Sequence, residues 1–264
     1  MSNVEPRFGR LITAMVTPFN EERNLDLDRA QALATRLIEG GNDSLIINGT
    51  TGESPTVFYP QKIELFRAVV EAADGKVPVI ANVGDNCTAD TVNFAQDVAK
   101  LGVDGFMCVV PYYNKPPQEG MYQHFKTIAD AVELPIILYN IPGRCVVNME
   151  AETTLRLAND CENVIAVKEA SGKMDQIATI AAAAPEGFSV YSGDDSATYD
   201  IMRLGGAGVI STTGNVAPAR MKDLVTKCAE GKWDEAWAAH EALLPLMDGL
   251  FETSNPILVK EALK

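Results

Sequence analysis

The chain has 264 residues, of which 47% are hydrophobic and 22% charged, and its formal net charge is −14 at pH 7. This length and composition are typical of a soluble globular protein with a large core, arranged as one domain or two. The acidic balance argues against nucleic acid as a partner, because phosphate binding requires an excess of lysine and arginine.

The sequence contains no motif typical of a membrane, disulfide or zinc-binding protein. No apolar stretch approaches the roughly 20 residues of a membrane span, and the N-terminal segment MSNVEPRFGR lacks the apolar core of a signal peptide. Two histidines, His124 and His240, without an H-E-x-x-H pair predict no metal site, and we assign both to packing. The cysteines are odd in number and form no C-x-x-C pair, so we predict free thiols in a reducing cytoplasm. They are Cys87, Cys108, Cys145, Cys161 and Cys228.

Eight short apolar runs follow one another along the chain, and each precedes a turn and a stretch with helical periodicity. None of the runs alternates strictly between apolar and polar residues, which is typical of parallel strands buried on both faces. The predicted strands are LITAMV (11–16), SLIIN (44–48), VPVIAN (77–82), GFMCVV (105–110), LPIILYN (134–140), NVIAVK (163–168), FSVYS (188–192) and AGVIS (207–211).

The intervening stretches predict one helix after each strand. Their approximate limits are 27–39, a stretch from Pro60, 88–101, a stretch ending near 132, 150–158, 174–184, 196–204 and 218–230. Eight such units in this length predict an α/β fold, the (β/α)8 barrel. An open doubly wound sheet is the competing prediction, although no G-x-G-x-x-G follows the first strand. We place the barrel in residues 1–231 and a helical segment, packed on its outside, in residues 232–264.

Polar residues follow nearly every predicted strand, at the end where (β/α)8 barrels hold their reactive groups. Hydroxyls, phenols, amines and one guanidinium occur there, without paired carboxylates, a Ser-His pair or a set of metal ligands. The segments are Thr17-Pro18, NGTTGES (48–54), PYYNKP (111–116), YNIPGR (139–144), Lys168-Glu169, SGDD (192–195) and Ile210-Ser211.

Lys168 is the group among these with the clearest chemical potential. Apolar surroundings disfavour the charged ammonium, so the pKa of a lysine at this position should fall. A partly neutral lysine attacks a carbonyl carbon and forms a Schiff base, whose iminium acidifies the adjacent carbon. The alternatives are a solvated loop lysine or an ion-pair partner for Glu169.

The remaining polar segments have structural explanations that stay open at this point. GTTGES (49–54) suits a tight turn as well as a carboxylate-binding nest of amides and hydroxyls. Tyr139 serves either packing or proton transfer. Tyr112 and Tyr113 are equally consistent with a surface or interface pair.

Arg144 and the SGDD segment also have two interpretations. Arg144 is either a surface charge or a bidentate clamp for a carboxylate. For SGDD we predict mainly a helix N-cap, with Asp194 or Asp195 interacting with the helix dipole.

Taken together, these segments resemble one family. GTTGES, PYYNKPPQEG, YNIPGR, VKEASG, SGDD and GVIS occur in this order in the dihydrodipicolinate synthases, within the pyruvate-dependent class I aldolases. The resemblance runs from about Gly9 to the last residue. It implies a cytoplasmic lyase that condenses pyruvate with aspartate 4-semialdehyde in lysine and diaminopimelate biosynthesis, without a cofactor or metal.

The resemblance also implies catalytic roles. Lys168 would form a Schiff base with pyruvate. Tyr139 would donate and accept protons in a relay with Thr50 and Tyr113. In the family the tyrosine that matches Tyr113 reaches into a neighbouring subunit, which implies a homodimer, usually paired into a homotetramer.

Substrate-binding roles follow from the same resemblance. Thr51 would bind the carboxylate of pyruvate, with Gly193 and the backbone of Ile210 beside the substrate. Arg144 would hold the carboxylate of aspartate 4-semialdehyde. Related lyases for sialic acid and sugar acids generally lack this arginine, so Arg144 favours a short carboxylated aldehyde.

Some bacterial members of the family are inhibited by lysine in a pocket at the dimer interface. Two positions here, Tyr59 and Lys62, replace residues that are commonly histidine in sensitive enzymes, and Lys62 would repel a cationic amino acid. We therefore predict weak or absent feedback by lysine. The candidate regulatory pocket consists of Ser54, Tyr59, Lys62, Asn86, Asp90 and Tyr112.

Two further departures from the family concern the loop at Arg144 and the end of the chain. Cys145 stands where threonine is more frequent, a small change that can loosen this loop. Members usually continue beyond the motif NPI-VK-AL into further helices, and Leu258 stands where proline is frequent. The absence of those further helices would expose apolar surface and weaken the quaternary structure.

Two other functions remain as alternatives. One is a pyruvate-dependent aldolase that uses a different aldehyde, of the sugar-acid or sialic-acid type. The other is a catalytically impaired barrel kept for binding or assembly, although every catalytic position of the family is present.

Overall fold

The computed structural model describes residues 5–264. Residues 1–4, which begin both the predicted barrel domain and the segment in which we predict no signal peptide, lie outside the described residues. No helix within residues 5–264 is both long enough and apolar enough to cross a membrane.

Eight strands within the described residues close into a barrel in chain order. All neighbours are parallel, and β8 pairs with β1 so that Leu11 lies opposite Val209. The (β/α)8 prediction is therefore confirmed, and the open doubly wound sheet is wrong. Most strands are shorter than predicted, but β6 extends one residue beyond Lys168. The strands are β1 (Leu11–Ala14), β2 (Ser44–Ile47), β3 (Val79–Asn82), β4 (Gly105–Val109), β5 (Ile136–Asn140), β6 (Val164–Glu169), β7 (Ser189–Ser192) and β8 (Gly208–Ser211).

Helices follow the strands at the predicted places. The helix α1 begins after Asp26, which accepts a hydrogen bond from the Arg29 amide, and it ends at Glu39, the predicted limit. A one-turn helix, α5, was not predicted. The helices are α1 (Leu27–Glu39), α2 (Tyr59–Ala73), α3 (Thr88–Ala99), α4 (Gln118–Ala131), α5 (Pro142–Cys145), α6 (Ala151–Asp160), α7 (Met174–Ala183), α8 (Thr198–Arg203), α9 (Pro218–Ala229), α10 (Trp233–Gly249) and α11 (Ile257–Ala262).

Alternation along each strand separates two layers of the core. In β2, Ile46 points into the barrel, whereas its neighbours Leu45 and Ile47 pack against the helices. The same period places Ile137 and Tyr139 of β5, and Ala166 of β6, in the interior cluster. Lys168, two residues beyond Ala166, must point the same way, so its side chain lies inside the mouth of the barrel.

The predicted C-terminal helical segment is also confirmed. In α10, Leu243 and Met247 pack against Met221 and Leu224 of α9 on the outside of the barrel. The chain then turns back, and Val259 of α11 packs against residues near the end of β1. The last helix therefore lies beside the mouth.

Candidate active site

Lys168 is buried at the mouth of the barrel, with 6% of its surface exposed. Its Cα is in register with Tyr139 on β5 and Tyr191 on β7. Burial lowers the pKa of Lys168 to about 8; the carboxylates of Asp195 and Asp194 raise it, and the Arg144 guanidinium lowers it further. The lysine is therefore partly neutral near neutral pH, and its interpretation as a solvated loop residue is wrong.

Glu169 points away from Lys168, because successive side chains of a strand lie on opposite faces. Its carboxylate is 1% exposed and accepts hydrogen bonds from the Asn140 side chain at 3.0 Å, the Gln176 side chain at 3.0 Å and the Ser171 amide at 2.9 Å. Among the described residues, no ion pair joins it to Lys168. The ion-pair interpretation is therefore wrong, and Glu169 instead braces the ends of β5 and β6.

Tyr139 is the nearest aromatic neighbour of the amine. Its ring centroid lies 4.3 Å from Lys168 Nζ, and the side chain is 4% exposed. Burial raises the pKa of Tyr139 to about 12, while a hydrogen bond with the Thr50 side chain and the Arg144 charge lower it. The phenol is therefore protonated at neutral pH and can donate its proton next to the amine.

The segment 49–54 forms a tight turn, so that explanation of its glycines is confirmed. The Ser54 amide donates to the Gly49 carbonyl at 3.2 Å, and a Cβ on Gly52 would lie 3.1 Å from the backbone of Asn48. The turn presents Thr50 to the mouth. It also buries Thr51, which is 3% exposed.

Thr51 is held by residues from two distant parts of the chain. The Asn255 side-chain amide donates to Thr51 Oγ1 at 2.9 Å, and Thr212 Oγ1 lies 3.3 Å away. Ile210, on the inward face of β8, is 1% exposed and belongs to the interior cluster with Tyr139. Asn255 was not among the predicted site residues; its only sequence signal is its place in the NPI motif.

Arg144 lies on α5, the turn of helix that follows β5. Its guanidinium donates to the backbone carbonyl of Asn255 at 3.3 Å. Arg144, Thr50, Tyr112 and Tyr139 line one cavity of about 240 Å³ at the mouth. The Arg144 guanidinium and the Tyr139 phenol therefore line the same cavity.

The SGDD segment combines a close backbone approach with two different aspartates. A Cβ on Gly193 would lie 2.7 Å from the Cβ of Ala170, so only glycine fits here without displacement. Asp194 caps the following 3₁₀ turn by accepting from the Ser196 amide, as predicted for one of the pair.

Asp195 has another role, which the sequence analysis did not predict. Its side chain is 2% exposed and accepts from Ser211 Oγ and from the amides of Thr212 and Thr213 at 2.9 and 2.8 Å. Burial raises its pKa, although these donors oppose the shift. Asp195 therefore fixes the turn after β8 and places negative charge near Lys168.

Tyr113 is the predicted catalytic residue that the single chain does not bring to the site. It is 87% exposed, has a backbone φ of 71°, and is not among the residues that line the 240 Å³ cavity. Tyr112, its neighbour, does line this cavity and donates to Asp85 at 3.0 Å.

Four of the six candidate regulatory residues line a second cavity of about 210 Å³, and two of these four, Ser54 and Lys62, also line the first. The four are Ser54, Tyr59, Lys62 and Asp90. The remaining two, Asn86 and Tyr112, contact each other through the Asn86 side chain and the Tyr112 carbonyl at 3.1 Å. Burial lowers the pKa of Lys62, although Asp85 opposes the shift.

The structure agrees with the predicted state of the cysteines and the predicted packing role of the histidines. All five cysteines are free thiols. Cys145 is buried, donates to the Val110 carbonyl at 3.2 Å, and has a pKa raised to about 11 by burial, so it is an unreactive packing group. His124 and His240 are buried against aromatic rings, which confirms their assignment to packing.

Comparison with known proteins connects this site to one family. The sequence profile described as the Dihydrodipicolinate synthetase family matches residues 7–264. The chain is 52% identical over 256 residues to 4-hydroxy-tetrahydrodipicolinate synthase 1 of Halalkalibacterium halodurans, covering 97% of this chain and 86% of that protein. It is 52% identical over 258 residues to the 4-hydroxy-tetrahydrodipicolinate synthase of Moorella thermoacetica, covering 98% and 88%.

A solved structure agrees with these sequence matches. The crystal structure of DHDPS from Cyanidioschyzon merolae with lysine bound superposes with a TM-score of 0.96 at 44% identity, covering 98% of this chain and 88% of that one. Both the sequence and the fold are thus shared over nearly the whole chain. The chain belongs to the dihydrodipicolinate synthetase family.

Proposed function

We infer that this protein condenses pyruvate with L-aspartate 4-semialdehyde to give 4-hydroxy-tetrahydrodipicolinate, in lysine and diaminopimelate biosynthesis. The observation that carries the inference is the buried amine of Lys168, 4.3 Å from the Tyr139 ring and with a pKa lowered to about 8. An amine that is partly neutral near neutral pH is the nucleophile that Schiff-base chemistry requires. The relatives named above carry the same activity in their names.

The first half of the reaction activates pyruvate. Neutral Lys168 Nζ attacks the ketone carbon of pyruvate, and loss of water gives a protonated imine. The iminium withdraws electrons, so the methyl group loses a proton and an enamine forms. Tyr139 donates the proton that the departing oxygen needs and accepts protons in later steps.

The second half joins the two substrates. The enamine carbon attacks the aldehyde carbon of aspartate 4-semialdehyde, and the aldehyde oxygen takes a proton. The amino group of the adduct then attacks the imine carbon, which closes the ring and releases Lys168 as a free amine. No electron is gained or lost overall, so the reaction needs neither an oxidant nor a reductant.

We propose for the binding groups the roles that the family resemblance implies. Thr51 binds the carboxylate of pyruvate, with Gly193 and the backbone of Ile210 beside it. Arg144 binds the carboxylate of aspartate 4-semialdehyde, supported by its position on the wall of the cavity that Tyr139 also lines.

Tyr113 completes the proton relay with Thr50 and Tyr139 from a neighbouring subunit, in a homodimer or a tetramer. Its 87% exposure within one chain supports this role. Mixing Lys168→Ala and Tyr113→Phe subunits tests it, since a mixed dimer then contains one site with both native residues. Recovery of activity on mixing is expected, whereas no recovery would place Tyr113 in its own subunit's site or outside catalysis.

Trapping tests the covalent step directly. The protein is incubated with pyruvate, reduced with borohydride, digested and examined by mass spectrometry for a stable adduct on Lys168. We expect the adduct on Lys168 alone. A folded sample without the adduct would instead support the catalytically impaired barrel.

A substrate screen tests the second carbonyl compound. Aspartate 4-semialdehyde should be consumed with pyruvate far faster than sugar aldehydes or N-acetylmannosamine. The preference should fall in Arg144→Ala, because the carboxylate then loses its cation. Faster turnover of an uncharged aldehyde would indicate an aldolase of the sugar-acid or sialic-acid type.

We propose the cytoplasm as the compartment of this protein. All five cysteines are free, and four of them are buried, which supports a reducing cytoplasm as the site of this activity.

A further inference from the structure

The chain beyond α10 returns to the mouth of the barrel and contacts several of its loops. Asn255 contacts Thr51 through its side chain and Arg144 through its backbone carbonyl. Five residues later, Lys260 donates to the Thr17 carbonyl at 3.0 Å and to the Glu53 carboxylate. The segment is therefore attached to the loops that follow β1, β2 and β5.

The contact between Asn255 and Thr51 has a defined direction. The Asn255 amide nitrogen carries two protons and cannot accept a hydrogen bond, so Thr51 Oγ1 must be the acceptor. Its own hydroxyl proton is then left for another acceptor. Thr51 and Asn255 are 3% and 8% exposed, so bulk water competes little for these groups.

A carboxylate is the kind of ligand that this arrangement favours. A hydroxyl whose oxygen already accepts from an amide is oriented as a donor, and ionised carboxylates are acceptors only. Thr212 Oγ1, at 3.3 Å, is a weaker alternative acceptor because it is a neutral hydroxyl. The same asparagine holds Arg144, the second carboxylate-binding group, by an independent bond from its backbone.

We propose that Asn255 is a positioning residue, which fixes the Thr51 hydroxyl as a hydrogen-bond donor to the carboxylate of the keto acid. The proposal rests on the function inferred above, in which pyruvate binds beside Thr51. Asn255 does not touch the reacting atoms; it acts through Thr51. The C-terminal segment is thereby a working part of the substrate site.

Replacing Asn255 by aspartate reverses the direction of this bond with almost no change of shape. The aspartate only accepts, so it draws the Thr51 proton away from pyruvate and adds a charge that repels the substrate carboxylate. We expect the pyruvate KM of Asn255→Asp to rise about 30-fold or more, with a much smaller change in kcat. Asn255→Ala leaves the Thr51 proton free to turn and should raise this KM only about 3- to 10-fold.

The kinetic parameter that changes separates positioning from a structural role. If Asn255 only supported the fold, both variants would lower stability or the active fraction and leave the pyruvate KM of the folded protein near the parent value. Ser254→Asp is the matched control, since it adds the same charge at the adjacent, exposed position. Its pyruvate KM should remain within about twofold of the parent value. A KM for Asn255→Asp equal to or below that of Asn255→Ala would overturn the proposal.

A double-mutant cycle with Thr51→Val decides the matter even if the aspartate variant does not fold. Because Asn255 acts through the Thr51 hydroxyl, adding Asn255→Ala to Thr51→Val should raise the pyruvate KM no further. Multiplicative effects of the two changes would contradict the proposal. Borohydride trapping on the parent protein separates failure of the proposed function from failure of the role of Asn255. If the parent protein forms no adduct, the proposed function is wrong and the role of Asn255 with it. If the parent forms the adduct but the two substitutions have multiplicative effects on the KM, only the role of Asn255 is wrong.

Discussion

The two ends of the barrel differ in whether a buried or half-buried charged group has charged and hydrogen-bonding partners. At the N-terminal end, Asp43 accepts from the backbone amides of Arg10 and Leu11 at 2.9 Å each and from Lys222 at 2.5 Å. At the mouth, Lys168 is buried with no ion pair among the described residues. The first arrangement stabilises the fold, whereas the second keeps an amine partly neutral, which is the form that the proposed Schiff-base chemistry requires.

Two tyrosines show the same contrast on the strands that flank Lys168. Both Tyr139 and Tyr191 are in register with Lys168, and burial raises the pKa of each. Tyr191 donates to the Gly9 carbonyl at 2.8 Å, toward the N-terminal end. Tyr139 instead faces the cavity at the mouth. A hydroxyl with a backbone partner has a structural role, and one that faces a cavity is available to a substrate.

The largest effect should come from replacing Lys168. We expect Lys168→Ala or Lys168→Arg to lower kcat by more than about 10³-fold, because neither forms the Schiff base with pyruvate. Lys222→Ala is the matched control at the other end and should leave kcat unchanged. Steady-state assays with both substrates make the comparison. Turnover at the parental level in a folded, assembled Lys168 variant would disprove the mechanism.

The two tyrosines offer the next contrast. Tyr139→Phe removes the proton donor beside the amine and should lower kcat about 10²- to 10³-fold. Tyr191→Phe removes only the hydrogen bond to the Gly9 carbonyl, so we expect an unchanged kcat. The free energy of unfolding should fall by about 1 kcal/mol, measured by denaturant unfolding. Equal effects of both changes on kcat would show that the cavity does not distinguish them.

The pH dependence of trapping follows from the lowered pKa of Lys168, about 8. Below this pKa the neutral fraction falls about tenfold per pH unit, so initial rates of pyruvate trapping should rise steeply up to pH 8 and then level off. Because of the same shift, Lys168 is protonated in the unfolded chain but neutral in the folded protein between pH 8 and the ordinary pKa of a lysine. Lys168 therefore makes stability increase with pH in that window. A trapping rate that does not change between pH 6 and 8 would contradict the buried neutral amine.

Asp43 should affect stability without affecting turnover. Asp43→Ala leaves two backbone amides and Lys222 without their acceptor, and we expect a loss of about 1 to 3 kcal/mol in the free energy of unfolding. Since Asp43 lies at the end remote from the site, kcat should remain within about twofold of the parent value. A large fall in kcat with intact stability would mean that the two ends do not divide these roles.

The smallest effect is expected from added lysine. The second cavity at the mouth contains the Lys62 amine beside Ser54, Tyr59 and Asp90, and this cation would repel a lysine ligand. An activity titration should therefore show little inhibition, and Lys62→Gln should increase the sensitivity. Half-inhibition of the parent protein at sub-millimolar lysine would refute the prediction.

The sequence by itself determined the order of strands and helices, and it identified Lys168 as the candidate nucleophile. These features are visible because burial imposes a local pattern, namely short apolar runs, helical periodicity between them and a lysine at the end of one run. The additional residue of β6 and the one-turn helix α5 were missed, because single turns and strand ends leave little periodicity.

Only the tertiary structure decided how the groups at the mouth meet. Asp195 reaches the turn after β8, Glu169 turns to Asn140, and Asn255 contacts Thr51, which lies 204 residues earlier in the chain. Sequence patterns report which face of an element is buried, but not which side chains from distant elements share a hydrogen bond. Closure of the barrel and the return of the last segment set those distances, so the fold decided which groups surround Lys168 and Thr51.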